Sequence, residues 1–388
     1  LISLDPPVGP LPPRRPPRRA VHLLQTLAAG LVIAVLATLI LARATGRGTG
    51  THHPTQVPAP KSGALQALPT TEFPVPSGAT ANGIVLGPDG NLWFTVAGNA
   101  ASVVGTGGAQ IGRITPNGAI IEFPLPTPHA APVAIIVGPD HNLWFTESIG
   151  GKIGRITRQG MITEFAVPGL AGSPIDIAAG PDGNLWFTAT GADGAGLIGR
   201  MTLNGVVTTF AITTPALTPL GIIAGPDGAL WFTEAEPGPT SSSGNIGRIT
   251  TKGAITEFAI PTAGSNPEQI IVGPDGNLWF TEDFLQSIGG KIGRITPQGA
   301  ITEFAVPTEI NAPAGLTNGP DGNLWVALLD HTPEQPGVIV RITPRGVITE
   351  YGLTSRSTGG FFDLAVSADR HLWVTTANTD ILRVDTLP

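Results

Sequence analysis

Carboxylates are the side chains with which this chain could do chemistry. Cysteine is absent, which excludes disulfides, thiolate nucleophiles and Cys-ligated zinc or iron–sulfur centres. The body holds four histidines, His129, His141, His331 and His371, with no spacing that pairs one with a base or a nucleophile. No Gly-x-Ser-x-Gly, His-Glu-x-x-His or phosphate-loop motif occurs,. Asn82, Asp176, Glu268, Gln269 and Asp363 interrupt positions that are otherwise apolar or small, and they are the candidate ligand-binding residues. Glu147, Glu234 and Glu282 each close a Leu-Trp-Phe-Thr run. Acids gathered at one place can hold a hard cation such as Mg²⁺ or Ca²⁺, and a solvated acidic funnel is the plainer use of the same residues. No catalytic residue can be assigned from the residue types alone.

These residues sit in a repeat. The run Gly273-Pro274-Asp275-Gly276-Asn277-Leu278-Trp279-Phe280-Thr281-Glu282 is one copy of a unit marked by Trp93, Trp144, Trp186, Trp231, Trp279, Trp325 and Trp373, which are all 7 tryptophans. Their spacings are 51, 42, 45, 48, 46 and 48 residues, a period that belongs to radial or stacked repeats rather than to independent domains. Within a unit, a short apolar run enters a Gly-Pro-Asp-Gly turn, in which Pro presets φ and Gly supplies a left-handed position. Asn-Leu-Trp-Phe-Thr follows, then a variable loop, Ile-Gly-Arg-Ile-Thr, a second tight turn and Ile-Thr-Glu-Phe. Four short strands per unit make one antiparallel blade. The fold expected is therefore all-β: a seven-bladed β-propeller with four-stranded antiparallel blades over residues 70–388, preceded by one N-terminal transmembrane helix.

Thr71-Glu72-Phe73 precedes the first Leu-Trp strand, and the last unit stops after Ile381-Leu382-Arg383-Val384. The N-terminal strand should complete the seventh blade. Trp and its Phe neighbour point to opposite faces of one strand, and both should be buried because each blade packs between two others. One Arg per unit and one Asp per turn suggest a repeated structural bond. A lone turn Asp lacks the further oxygens of a calcium loop. Both tight turns fall on one rim, so the opposite rim carries the variable loops and inter-blade links. Ligands favour such loops. Its mouth should be lined first by Asn82, Val133, Ile175, Leu220, Glu268, Ala314 and Phe362, and next by Gly83, Ala134, Asp176, Gly221, Gln269, Gly315 and Asp363.

Residues 1–20 are rich in Pro and Arg and read as a cytoplasmic segment. Residues 21–42 carry no acid, Lys or Arg, and as a helix at about 1.5 Å per residue they span a hydrocarbon core of roughly 30 Å. Four Arg precede the run, which orients the body outward by the positive-inside rule. A cleaved signal peptide is the alternative, although the apolar core exceeds the usual length of one. Residues 43–69 read as a flexible tether, in which His52-His53 is a solvated pair. The expectation is a single-pass protein of the cell membrane with an extracytoplasmic, monomeric propeller. Residues 1–69 contain seven Lys/Arg and one acid, leaving 14 basic and 27 acidic residues for the body. That body repels phosphate backbones, so no nucleic-acid partner is expected.

The Gly-Pro-Asp-Gly-Asn-Leu-Trp-Phe-Thr-Glu unit, Lys291-Ile292-Gly293-Arg294-Ile295-Thr296 and Ile301-Thr302-Glu303-Phe304 closely resemble the streptogramin B lyase family, also called the virginiamycin B lyase family. The resemblance spans roughly residues 70–388 and implies a seven-bladed propeller. It also implies a Mg²⁺-assisted elimination that opens a cyclic depsipeptide antibiotic at its ester. The family's two histidines fall at Ala314 and Phe362 here, and its two further acids fall at Gly360 and near Ala377. None of the four matches, and neither Ala nor Phe can act as a base. Two functions follow as expectations. The first is a membrane-anchored sensor or scaffold that binds a small molecule or protein on the variable rim, with no cofactor assigned. The second is a Mg²⁺-dependent carbon–oxygen lyase acting on streptogramin B-type depsipeptides through other residues, such as His129, His331 or Glu268.

Overall fold

Each Gly-Pro-Asp-Gly turn is built around its own tryptophan. In six blades the turn Asp accepts a hydrogen bond from the indole Nε1–H four residues on, at 2.8–3.1 Å. In the seventh, the turn reads Ser367-Ala368-Asp369-Arg370 and the Ser367 hydroxyl accepts from Trp373 instead. Burial disfavours ionisation of the turn aspartates, but hydrogen bonds from neighbouring Asn and Trp side chains outweigh it. Asp89, Asp140 and Asp275 are thus held below the usual carboxylate range,.

The computed structural model describes residues 65–98, 108–167, 172–191, 194–214, 217–236, 244–283, 290–307, 312–329, 337–355 and 360–385. The expected segments 1–20 and 21–42, most of the expected tether, and His331 lie outside them. No helix among the described residues is long and apolar enough to cross a membrane.

Seven antiparallel sheets form the blades. Their first strands are Ala81–Leu86, Pro132–Val137, Pro174–Ala179, Thr218–Ala224, Asn266–Val272, Ala312–Asn318 and Phe361–Val366. Each contacts the first strand of the next blade, and the seventh contacts the first blade, so they ring a central axis. Two N-terminal strands finish the ring. Strand β2 (Thr70–Pro74) pairs antiparallel with Asp380–Val384 and completes blade 7, as the strand count requires. Strand β1 (Gln66–Leu68) pairs in parallel with Ile348–Leu353 and makes blade 6 five-stranded. Sequence reading places residues 66–68 in the tether. They are instead a strand, and Leu68 is buried among Tyr351, Leu353 and Phe361.

All seven tryptophans are fully buried. Each packs forward onto the next blade: Trp93 against Leu143 and Phe145, Trp186 against Leu230 and Phe232. The same indole stacks on the outer-strand aromatic of its own blade, with centroids 5.1–5.6 Å apart. The blade's Arg lies over these rings at 5.4–5.9 Å, for example Arg113 over Trp93 and Phe123,. The repeated Arg is therefore a lid on the aromatic stack.

The Gly of Ile-Gly-Arg-Ile has a steric cause. A Cβ at Gly112, Gly154, Gly199, Gly247 or Gly293 would lie 2.0–2.2 Å from the ring of Phe94, Phe145, Phe187, Phe232 or Phe280. In blades 6 and 7 the ring is replaced by Val326 and Val374, and the cross-strand partners become Val340 and Leu382. Volume lost on one strand is regained on its neighbour. Gly247→Val alone should therefore destabilise the propeller by about 3 kcal/mol through overpacking, and Phe232→Val alone by about 2 kcal/mol through a cavity. In urea denaturation the double variant should lose less than the sum of the two, by on the order of 1 kcal/mol or more.

Candidate functional site

The innermost strand of every blade is bulged. Pairing with the second strand slips between Ala81 and Ile84, Pro132 and Ile135, Pro174 and Ile177, Pro219 and Ile222, Pro267 and Ile270, Pro313 and Leu316, and Phe361 and Leu364. The two residues inside each bulge are the two rings expected at the mouth. A bulge takes backbone groups out of the ladder, and buried backbone groups need partners.

The Thr of Leu-Trp-Phe-Thr satisfies two of them. Its hydroxyl accepts from the second bulge residue of its own blade, as in Gly83 N–H to Thr95 and Asp363 N–H to Thr375. It donates to the first bulge carbonyl of the next blade, at 2.6–3.0 Å in Thr95 to Val133, Thr146 to Ile175, Thr188 to Leu220 and Thr233 to Glu268. Thr375 closes the ring onto Asn82 at 2.7 Å. Blade 6 has Ala327 at this place.

The candidate residues satisfy a third group. Asp176 accepts from Ile222 N–H of the next blade at 2.8 Å, Gln269 Oε1 from Leu316 N–H at 2.9 Å, and Asp363 from Ile84 N–H at 3.0 Å. The blade that receives each bond has Gly at the matching bulge position, Gly221, Gly315 or Gly83. A Cβ there would lie 2.6–2.7 Å from the backbone of the blade beyond. Polar cap and glycine thus alternate around the axis, and Ala134 fills the odd seventh place.

Asp176, Gln269 and Asp363 therefore act as staples between blades. Gln269 Nε2 also lies 3.4 Å from Asp363, and Asp363 lies close enough to Asp176 to raise its pKa by repulsion. Desolvation first, and for Asp176 that repulsion, pushes Asp176 up to about 7; desolvation pushes Asp363 up to about 6. Both stay partly accessible to water in the channel although protein atoms surround them. Above the staples, Asn82 donates to Pro132 O at 3.3 Å. Glu268 is partly exposed in the first ring, as are Val133, Leu220 and Phe362, while Ile175 and Ala314 are buried there. The mouth is an apolar collar with one amide and one carboxylate, suited to holding an amphipathic ligand.

Glu147, Glu234 and Glu282 are not brought to the mouth or to one another. They lie in blades 2, 4 and 5, fully buried, each on the same sheet face as its outer-strand glutamate. Among the described residues no group of three or more His, Cys, Asp or Glu could hold a metal ion. The outer-strand glutamates, which sequence reading did not single out, accept from the link that crosses their blade. Examples are Ser77 to Glu122, Thr127 to Glu164 and Thr214 to Glu257, each at 2.6 Å. A signal existed: Glu of Ile-Thr-Glu-Phe lies two strands across from the Glu that ends the Trp strand. Desolvation, then repulsion from Glu164 or Glu257, pushes Glu147 to about 7 and Glu234 to about 8. Glu282 is pushed to about 8 mainly by desolvation, with Glu303 adding to it.

His129 is exposed in the link into blade 2, and His141 is exposed in a turn. His371 Nδ1 sits 3.2 Å from Asp369 on the regular rim. Gly360 has φ near 91° and Ala377 N–H donates to its carbonyl. A carboxylate side chain at position 360 would be strained. The residues present at 314, 360, 362 and 377 do not fit a Mg²⁺ site.

Burial of these acids predicts an unusual pH dependence. A carboxyl whose pKa is raised on folding binds its proton more tightly in the native state. That contribution is complete below the ordinary value of 4.5 for Glu and is lost as pH rises through about 7 to 8. The urea midpoint should therefore be higher at pH 5.5 than at pH 8.5. Glu282→Gln should recover on the order of 2 kcal/mol more at pH 8.5 than at pH 5.5.

Comparison with known proteins agrees with this architecture. The profile of the Virginiamycin B lyase family matches residues 55–198 and 192–386. The crystal structure of virginiamycin B lyase from Staphylococcus aureus is 33% identical, with 82% of this chain and 99% of that one covered and a TM-score of 0.68. A catalytically inactive variant of the same enzyme with quinupristin is 32% identical, covering 82% and 99%, with a TM-score of 0.67. A virginiamycin B lyase of Bordetella parapertussis is 41% identical over 76 residues, 19% of this chain and 22% of the relative. The chain thus matches less than a quarter of that curated relative's length.

Proposed function

The chain belongs to the virginiamycin B lyase family, and on that premise we propose that it is a binding propeller rather than an enzyme of elimination. The observation that carries this reading is the pair Ala314 and Phe362 in the two bulges where the resemblance expects histidines. Ala314 is buried and Phe362 is partly exposed in the collar. Neither can take a proton from a substrate. The remaining polar groups of the inner ring, on Asp176, Gln269 and Asp363, are engaged by backbone N–H groups of neighbouring blades. What the mouth offers is apolar area from Phe362, Val133 and Leu220, together with the polar groups of Asn82 and Glu268.

In this proposal the ligand is a small amphipathic molecule or a protein segment seated on the variable rim. Residues 21–42 anchor the chain by a single pass in the cell membrane, with one monomeric propeller outside, and nucleic acid is not a partner. A second reading keeps elimination. It is favoured by identity of 33% over 99% of the Staphylococcus aureus enzyme, and it requires Glu268 or His129 to replace the missing bases.

One experiment separates the two. The full chain is incubated with quinupristin and Mg²⁺ and the mixture is chromatographed, while binding is followed by titration calorimetry. Binding without a linear product, weakened about tenfold or more in Phe362→Ala by loss of apolar contact, is the outcome expected if cyclic depsipeptides are ligands. Metal-dependent linearisation that disappears in Glu268→Ala would overturn the binding reading.

A further inference from the structure

Three blades place a buried and a half-buried glutamate beneath the incoming link, and only two of them supply a cation. In blade 2, Lys152 lies opposite Glu147 in register and its Nζ donates to Thr127 Oγ1 at 2.5 Å and to Glu164 at 2.6 Å. In blade 5, Lys291 lies opposite Glu282 and its Nζ donates to Thr262 and to Glu303 at 3.1 Å. Each set holds two carboxyls, one ammonium and the hydroxyl of a link threonine. In blade 4, Glu234, Glu257 and Thr214 keep these places, but the residue opposite Glu234 is Asn245. One positive charge is missing at a position that the other two blades define.

The side chains around that position are oxygen donors. Glu234 is fully buried, and no donor to its Oε1 stands among the described residues. Its Oε2 accepts from Asn245 Nδ2 at 3.2 Å. Glu257 accepts from Thr213 N–H at 2.9 Å, from Thr214 N–H at 3.2 Å and from the Thr214 hydroxyl at 2.6 Å. The link backbone thus fixes Glu257. A protonated Glu234 can hydrogen-bond to Glu257, whereas an ionised Glu234 keeps one oxygen with no donor among the described residues. An unpaired oxygen of this kind is costly in a dry interface. In blade 2 both Glu147 oxygens also lack a hydrogen bond, but there Lys152 supplies the charge.

We propose that blade 4 binds one hard divalent cation, Ca²⁺ in preference to Mg²⁺, between Glu234, Glu257 and Thr214. The ion takes the place that lysine ammonium takes in blades 2 and 5. Rotation of the Asn245 amide by a half turn would add its carbonyl oxygen to the set. Irregular cages made mostly of protein oxygens suit Ca²⁺, whereas Mg²⁺ gives up water reluctantly and demands octahedral ligands. The site lies on one face of the blade 4 sheet, beneath the incoming link, and the proposal does not depend on what the mouth binds.

The test uses the full chain at pH 8 after chelator treatment. CaCl₂ at about a hundredfold excess over Kd should raise Tm by about 5 °C, MgCl₂ should raise it less, and equilibrium dialysis should find one bound Ca²⁺ per chain. Asn245→Lys supplies the ammonium of the other two blades, so it should bind no Ca²⁺ and show no calcium-dependent shift. Glu147→Gln should bind as the wild type does. If Asn245→Lys does not fold, Glu234→Gln takes its place and should likewise lose the bound ion. No bound Ca²⁺ in the wild type, with stability responding to pH alone, would mean that a proton serves the pair and would overturn the proposal. So would full Ca²⁺ binding by Asn245→Lys or Glu234→Gln.

Discussion

Closing seven bulged strands around an axis creates a hydrogen-bonding problem that the rest of the propeller answers. Each bulge withdraws backbone N–H and C=O groups from the ladder just where the blades converge,. A typical net hydrogen bond contributes about 1 kcal/mol, but an unmet buried group costs about 1–3 kcal/mol. One threonine hydroxyl, accepting from its own blade and donating to the next, resolves most of this with a single side chain. Neighbouring blades are thereby linked by directional bonds as well as by apolar packing. Asp176, Gln269 and Asp363 serve the blades whose own bulge residue is glycine. The alternation of cap and glycine cannot run evenly around an odd number of blades, and Ala134 is where it breaks.

The fold was legible because its causes recur. Trp at each turn, Gly opposite Phe, and the outer-strand aromatic all repeat with one period, so composition and spacing were enough to count blades and to predict closure by residues near 71–76. β1 was not legible, because Gln66–Leu68 is three residues long and its partner lies almost three hundred residues away. The site was legible in position but not in role. The two mouth rings are the bulge residues, yet the polar ones read as ligand groups when their oxygens are taken by backbone N–H. The glutamates ending the Trp strands were expected on an open rim. They are buried, because the links fold over them and tie down to the outer strand, as at Glu164 and Glu257. A linear pattern of acids gives no sign of the segment that will cover it.

Family membership and local chemistry also separate cleanly in this chain. The residues that carry the resemblance are those that build blades: the stacked Trp, Phe and Arg, the turn Asp, the hydroxyl bridge. Ala314, Gly360, Phe362 and Ala377 stand where the resemblance places its reacting groups, and each suits its local packing or backbone conformation without them. A propeller of this kind keeps its shape through the repeat and its activity through the exceptions to the repeat.

The route by which the chain enters the ring has a mechanical meaning. β1 runs parallel to the outer strand of blade 6, and β2 continues onto the edge of blade 7. Asp385 N–H is bonded to Pro69 O, so the last strand and the first lie side by side. Tension along the axes of β1 and β2 would shear their rungs together instead of peeling them one by one. The seam that closes the propeller thus resists best a pull along its own strands.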